Sequence, residues 1–245
     1  MPVATFCLRP VARVQRFYHT SIWLKRSARP VDGYPDGMPK VVDHQARRIQ
    51  VADAVQKLVT EEGLDRVTVA RTAATAGFSV GHVQHYFATK DEMLLFTHER
   101  VVQKILDRVS ALGERATRQR SPIRDVVVEG LGEWLPVDPR RRSAHRVMLA
   151  FLGRTVDNPH LARSHSETGR LIRSMLATAV HNGKECGEVP DDTAPDLAAL
   201  ELHCLTEGLA LQLGSDPVPA DTQTALGLLT ARVQAVFPGR CRQYG

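Results

Sequence analysis

The sequence predicts an all-α protein built from a small N-terminal helical unit and a larger helical unit behind it. Three observations carry this. From Arg47 onward, apolar residues recur at the i, i+3, i+4 spacing of a helix in one stretch after another. Proline- and glycine-rich breakers cut the chain into helix-sized lengths. No stretch alternates apolar and polar residues over the length of a strand, and no segment repeats another.

The first helix is announced by Val51, Ala54, Val55, Leu58 and Val59, which leave Arg48, Asp53, Lys57 and Glu61 on the wet side; Gly63 is its stop. Thr68 offers an N-cap for a second helix through Ala76, and Gly77 breaks it. Ser79 caps a third, which ends at Phe87-Ala-Thr-Lys. Asp91 and Glu92 place acids in the first turn of a fourth, which suits the helix dipole. Its apolar stripe of Met93, Leu94, Phe96, Val101, Ile105 and Val109 runs to about residue 112. Five more helices are expected over residues 123–134, 139–156, 159–186, 195–213 and 219–237. Several begin with Pro near the first turn, where a missing N–H costs nothing.

Composition excludes more than it suggests. With 245 residues, 43% hydrophobic and 24% charged, the chain has ordinary soluble globular make-up. No apolar run approaches the roughly 18–20 residues of a membrane span, so no membrane partner is expected. The four cysteines, Cys7, Cys186, Cys204 and Cys241, stand far apart and form no C-x-x-C. That spacing argues against a disulfide framework or a zinc ribbon and fits a reducing cytoplasm. The net charge of +5 tempts one toward nucleic acid, but residues 1–37 hold +4 of it and the other 208 residues only +1. This first segment lacks periodicity and a continuous apolar h-region, so no secretory signal is expected there. Three readings stand open for it: a disordered tail, a basic arm on DNA, or an early start, with Met38 as the natural beginning.

The informative stretch is TVARTAATAGFSVGHVQHYFATKDEML, residues 68–94. Two short helices around a Gly-containing turn form a helix-turn-helix, whose second helix can enter the major groove while the first crosses the backbone. Such a reader needs apolar residues behind and short or polar ones in front. Val83 and Phe87 suit the rear, against Ala73 and Ala74; Val80, Gly81, His82, Gln84 and His85 are left outward. Gly81 allows close backbone approach. His82 and Gln84 can bond base edges or phosphates, His85 and Tyr86 can donate to phosphates, and Lys90 adds charge.

Residues 47–95 resemble the DNA-binding domain of TetR-family transcriptional regulators. The resemblance rests on ADAVQKLVTEEG in the first helix, the Thr68 cap, A-x-x-A-G-F-S-V-G, and the ordered run G-x-V-x-H-Y-F-x-x-K-D-E-x-L. SVGHVQHYF looks nearer the BetI-like branch. Two positions depart from the common pattern: Gln84 stands where many members carry Tyr, and Thr72 where Ile or Leu packs on the first helix. The resemblance implies a cytoplasmic homodimer on double-stranded DNA with a palindromic operator, most often as a repressor. It also implies a C-terminal domain whose small-molecule effector lowers DNA affinity. The DNA face is then Thr68, Arg71, Ser79, Val80, Gly81, His82, Gln84, His85, Tyr86 and Lys90.

The expected division is 1–37 as extension, 38–90 as the helix-turn-helix domain and 91–240 as the ligand-binding and dimerisation domain. Candidate pocket residues are Trp134, Met148, Phe151, Met175 and His181, with Arg154 as an anion partner. The apolar arc of the last two helices, Leu197, Leu200, Leu205, Leu209, Leu226, Leu229 and Val233, is the candidate dimer face. No metal or other cofactor is expected: His82 and His85 lie three apart, but neither Cys nor carboxylate stands at a convincing third position. Catalysis finds no G-x-S-x-G, phosphate loop or H-E-x-x-H, and Ser164, His165 and Glu167 sit too close in sequence to face each other on a helix. The rival reading is a helical enzyme or small-molecule binder whose N-terminal unit no longer binds DNA.

Overall fold

The computed structural model describes residues 40–215 and 219–242; the expectations for residues 1–37 and for Met38 lie outside them. The described residues form nine α-helices and no strand. They are α1 (Lys40–Glu62), α2 (Val69–Ala76), α3 (Val80–Tyr86), α4 (Lys90–Gln119), α5 (Ile123–Gly132), α6 (Pro139–Thr155), α7 (Pro159–Cys186), α8 (Pro195–Ser215) and α9 (Pro219–Val236). A single 3₁₀ turn, Leu64–Arg66, separates α1 from α2. No described helix is long and apolar enough to cross a membrane.

The helices pack into two compact units. The first comprises residues 40–104 and 142–165, and the second the described parts of 105–141 and 166–245. Packing therefore assigns the first half of α4 and most of α6 to the N-terminal unit, beyond the expected boundary near residue 90. A long helix carries one apolar stripe without a break, so sequence marks no seam inside it.

In the first unit, α1 buries Val51, Ala52, Val55, Leu58 and Val59. Phe87 and Phe96 pack at 5.5 Å between centroids, and Arg48 of α1 lies over both rings at 4.7 and 4.6 Å. A guanidinium over two aromatic faces fastens α1 to the start of α4 by cation–π attraction and by its own apolar stem. Leu94, Phe151 and Leu161 form a separate fully buried cluster joining α4, α6 and α7. Asp91 sits beside them, bound by Arg154 at 3.2 and 3.1 Å and by Asn158 at 3.0 Å. Those partners hold its carboxyl below the ordinary value.

In the second unit, Ile123, Val127 and Leu131 of α5 meet Ile172, Leu176 and Val180 of α7, Ala198, Ala199 and Leu202 of α8, and Leu229 and Val233 of α9. The start of α5 is capped from a distance. Pro122 has no side chain to offer, and the fully buried Glu188 accepts from Ile123 N at 2.8 Å and Arg124 N at 2.9 Å. A carboxylate on the first amides of a helix satisfies orphan donors and the dipole together.

Candidate nucleic-acid interface

The local geometry follows from caps. The Thr68 hydroxyl accepts from Arg71 N at 3.2 Å and starts α2. Gly77 ends it with φ 72° and ψ 30°, a left-handed conformation that favours glycine, and Phe78 N returns to Ala73 O at 2.9 Å. Ser79 then starts α3 by accepting from His82 N at 3.1 Å. The turn holds α2 and α3 as a helix-turn-helix. At the far end, Thr89 accepts from Glu92 N at 3.1 Å and Glu92 reaches back to Ala88 N at 2.8 Å, so α4 starts on reciprocal side-chain caps.

Burial separates the two sides of α3. Val83 and Phe87 are buried, while Val80, Gly81, Gln84 and His85 are exposed on one side. Ala73 is buried as expected behind the reader, whereas Ala74 is exposed. His82 and Tyr86 are half-buried along a flank and build an aromatic cluster. Phe78 to His82 is 4.7 Å between centroids, His82 to Tyr86 5.1 Å and His85 to Tyr86 5.2 Å. His44 of α1 closes it, edge-on to Tyr86 at 4.6 Å. Burial first, then Arg48 and His85 nearby, pushes the His44 imidazole below its ordinary value. The guanidinium of Arg47 lies 5.4 Å from the centroid of Phe78. Sequence reasoning missed His44, Arg47 and Phe78: it drew the DNA face from α2, α3 and their caps with Lys90, taking nothing from α1, and only folding brings the start of α1 beside them.

Two cationic residues of the expected DNA face are engaged inside the protein. Arg71 grips both oxygens of Glu62, at 2.6 and 2.7 Å. Lys90 donates to the Leu64 carbonyl at 2.7 Å. Thr68 and Ser79 are exposed with their hydroxyls spent as caps.

The second unit holds a cavity of about 90 Å³. Leu106, Val109, Val126, Trp134, Met175 and Asn182 are among the residues lining it. Of the expected pocket residues it gathers Trp134 and Met175 only. Met148, Phe151 and Arg154 belong to the first unit, where Phe151 stacks on His98 at 3.8 Å and Arg154 is bound to Asp91. His181 faces solvent. The expected dimer face also divides. Leu229 and Val233 are fully buried in the second unit's core, Leu205, Leu209 and Leu226 pack against that core, and Leu197 and Leu200 are 67% and 45% exposed.

Comparison with known proteins agrees with this architecture. Residues 52–95 match the family model for bacterial regulatory proteins of the tetR family. Residues 122–238 match the model for the C-terminal part of BetI-type transcriptional repressors. The HTH-type transcriptional regulator BetI of Burkholderia cenocepacia is 31% identical over 193 residues, covering 78% of this chain and 94% of the relative. The HTH-type transcriptional regulator PksA of Bacillus subtilis is 28% identical over 200 residues, covering 81% and 94%. Among solved structures, a transcriptional regulator from Rhodococcus sp. Rha1 superposes with a TM-score of 0.68 at 28% identity, covering 78% of this chain and 96% of that one. A regulator from Saccharomonospora viridis in complex with choline superposes with a TM-score of 0.69 at 19% identity, covering 78% and 96%. Fold and comparisons together define the class, a helix-turn-helix transcriptional regulator rather than an enzyme. The chain belongs to the TetR family, and its C-terminal helices are of the BetI type.

Proposed function

We propose that the protein is a cytoplasmic repressor that binds a palindromic operator as a homodimer and lets go when a small, uncharged, largely apolar molecule occupies the cavity. The observation that carries the reading is the two-sided α3. Val83 and Phe87 fix it from behind, and Val80, Gly81, Gln84 and His85 face outward. Gln84 can pair bidentately with adenine, Val80 can meet a thymine methyl, and Gly81 lets the backbone approach. His85 and Tyr86 fall to phosphates, along with the amides at the start of α3. Thr68, Ser79 and His82 act by holding that geometry. Arg71 and Lys90 join the phosphate contacts only by leaving Glu62 and the Leu64 carbonyl.

A palindrome needs two readers about 34–36 Å apart or a multiple of it. The exposed leucines of the last two helices supply a face for pairing. Leu197, Leu200, Cys204, Gly208 and Leu211 follow one another at spacings of three or four along α8, and Leu228 is exposed on α9. Apolar side chains left in water along two helices suit an isologous four-helix contact.

The effector's character follows from the cavity lining. Its polar side chains are those of Thr178, Asn182 and Trp134, and it includes no carboxylate and one aromatic ring. A quaternary ammonium such as choline is held by an aromatic cage or a counter-charge, and burying it without either is costly. Coupling would run along α4, which carries cavity residues Leu106 and Val109 and, fifteen residues upstream, the first turn behind α3.

The test is selection from a random duplex pool with the full chain. An enriched palindrome, lost when Gln84→Ala and His85→Ala are combined in a folded protein, is the expected result. Affinity should also fall steeply with salt, since phosphate contacts release counterions. Folded protein that enriches no sequence would overturn the reading and leave a ligand-binding protein without a DNA function.

A further inference from the structure

Behind the last helix the chain turns back on itself. Gly239 N donates to Glu188 O at 2.9 Å and Arg242 N to Cys186 O at 2.8 Å, which lays residues 239–242 along the segment that follows α7. Two glycines make the approach possible. A Cβ on Gly239 would stand 2.1 Å from the Gly187 carbonyl oxygen, and Gly187 itself has φ +88°. Sequence reasoning found no use for Cys186 and Cys241, which lie 55 positions apart. The crossing brings them together with Glu188.

One donor atom from each of Cys186, Glu188 and Cys241 lies within 4.8 Å of the other two. Cys186 Sγ and Glu188 Oε1 are 3.5 Å apart. Tetrahedral zinc, with bonds of about 2.3 Å to sulfur and about 2.1 Å to oxygen, separates its ligands by roughly 3.6–3.8 Å. Cys186 and Glu188 lie close to that spacing at 3.5 Å, and the Cys241 donor is within 4.8 Å of both. The carboxylate is also oriented from outside, by the amides of Ile123 and Arg124. Metal-binding carboxylates are commonly held this way by a second layer of hydrogen bonds. Capping alone accounts for Glu188, but it does not account for two thiols converging on the same buried carboxylate.

We propose that Cys186, Glu188 and Cys241 form a structural site for a thiophilic divalent cation of the zinc class, which clamps the C-terminal segment to the end of α7 and the start of α5. The two thiols bind as thiolates, releasing two protons to solvent, and the carboxylate is the third ligand. Solvent supplies the fourth, reached past Cys241, the one partly exposed member of the three.

The experiment uses the full chain, kept reduced with a phosphine, in a Cys7→Ser, Cys204→Ser background that leaves only the two site thiols. Zinc retained after dialysis should be about one per chain, and cobalt(II) in its place should give intense thiolate-to-cobalt absorption with visible bands of tetrahedral type. Cys241→Ser, at a partly exposed position, should keep its helical circular dichroism and lose both signals. Reduced, folded protein that takes up neither metal overturns the proposal, as does metal binding that survives Cys241→Ser. A disulfide between Cys186 and Cys241 in air-oxidised protein, with no metal in the reduced form, overturns it in favour of a redox pair.

Discussion

At the scale of single residues, two buried polar side chains set measurable properties of the reader. Thr72 is fully buried in α2, and its hydroxyl has no hydrogen-bond partner. Leaving such a group unsatisfied costs about 1–3 kcal/mol. Thr72→Val keeps the shape and removes the hydroxyl, so the protein should gain about 1 kcal/mol, read as a higher denaturant midpoint at unchanged slope. Unchanged or lower stability would mean that the hydroxyl is satisfied in solution. His98 acts through pH. Burial, with a smaller push from His165, holds its imidazole down at about 3, against 6.5 in the free side chain. Below pH 6.5 the unfolded chain takes a proton that the folded chain refuses. The folded state is therefore fully favoured above about 6.5 and loses ground steadily as pH falls toward 3. His145 and His44 are also pushed down, burial being the first cause in each, and add to the same slope. Denaturation at pH 7.5 and 5.5 should show a loss of about 1 kcal/mol from His98. His98→Leu should remove that part of the loss and leave the rest; an unchanged pH slope in the variant would refute the assignment.

At the scale of elements, most of the fold was legible. Proline starts placed α6 to α9 at the residues where they begin, and the Thr68, Gly77 and Ser79 signals gave α2 and α3 their ends. Where the reading slipped, local signals competed. The fourth helix was expected to stop near residue 112, before Gly113, yet it runs to Gln119. Gly113 is buried inside the helix and Ala116 carries the apolar stripe past it, so the helix continues until Arg120, whose positive φ of 55° marks the break. Tertiary placement was less legible. α8 is apolar nearly all round, with Ala198, Ala199 and Leu202 inside and Leu197 and Leu200 outside. Periodicity cannot tell a core side from a pairing side when both are leucine and alanine. The structure makes the distinction testable. If the proposed dimer pairs through this face, Leu197→Glu with Leu200→Glu should split it, read as a halved mass by light scattering, and leave the protomer folded. Leu229→Glu should instead unfold the second unit, because it places an unpaired charge at a fully buried position of an apolar core. A dimer that survives the paired α8 change would remove this face from the interface.

At the scale of the whole molecule, the proposed regulation is a free-energy coupling between cavity and reader, and any such coupling is reciprocal. An effector that weakens operator binding tenfold must itself bind the operator complex tenfold less well, a coupling of about 1.4 kcal/mol. That coupling requires the cavity to be a place where the protein can yield. Gly130 of α5 gives a direct test, because it lines the cavity and lies inside a helix. A Cβ there would meet only Val109 side-chain carbons, at 3.6 and 3.9 Å, which is ordinary contact. Gly130→Ala thus adds a methyl to the cavity without strain. Alanine in a helix interior is favoured over glycine by about 1 kcal/mol, so the variant should be more stable by a similar amount. Nothing in α3 changes, so operator affinity without effector should stay within about twofold, a shift of about 0.4 kcal/mol. The concentration of effector needed for release should rise, since less room remains for it in the cavity. A stabilised variant with unchanged operator affinity and a blunted response would tie release to this cavity. Equal stabilisation with an unaltered response would place the effector elsewhere, and the link along α4 would lose its starting point.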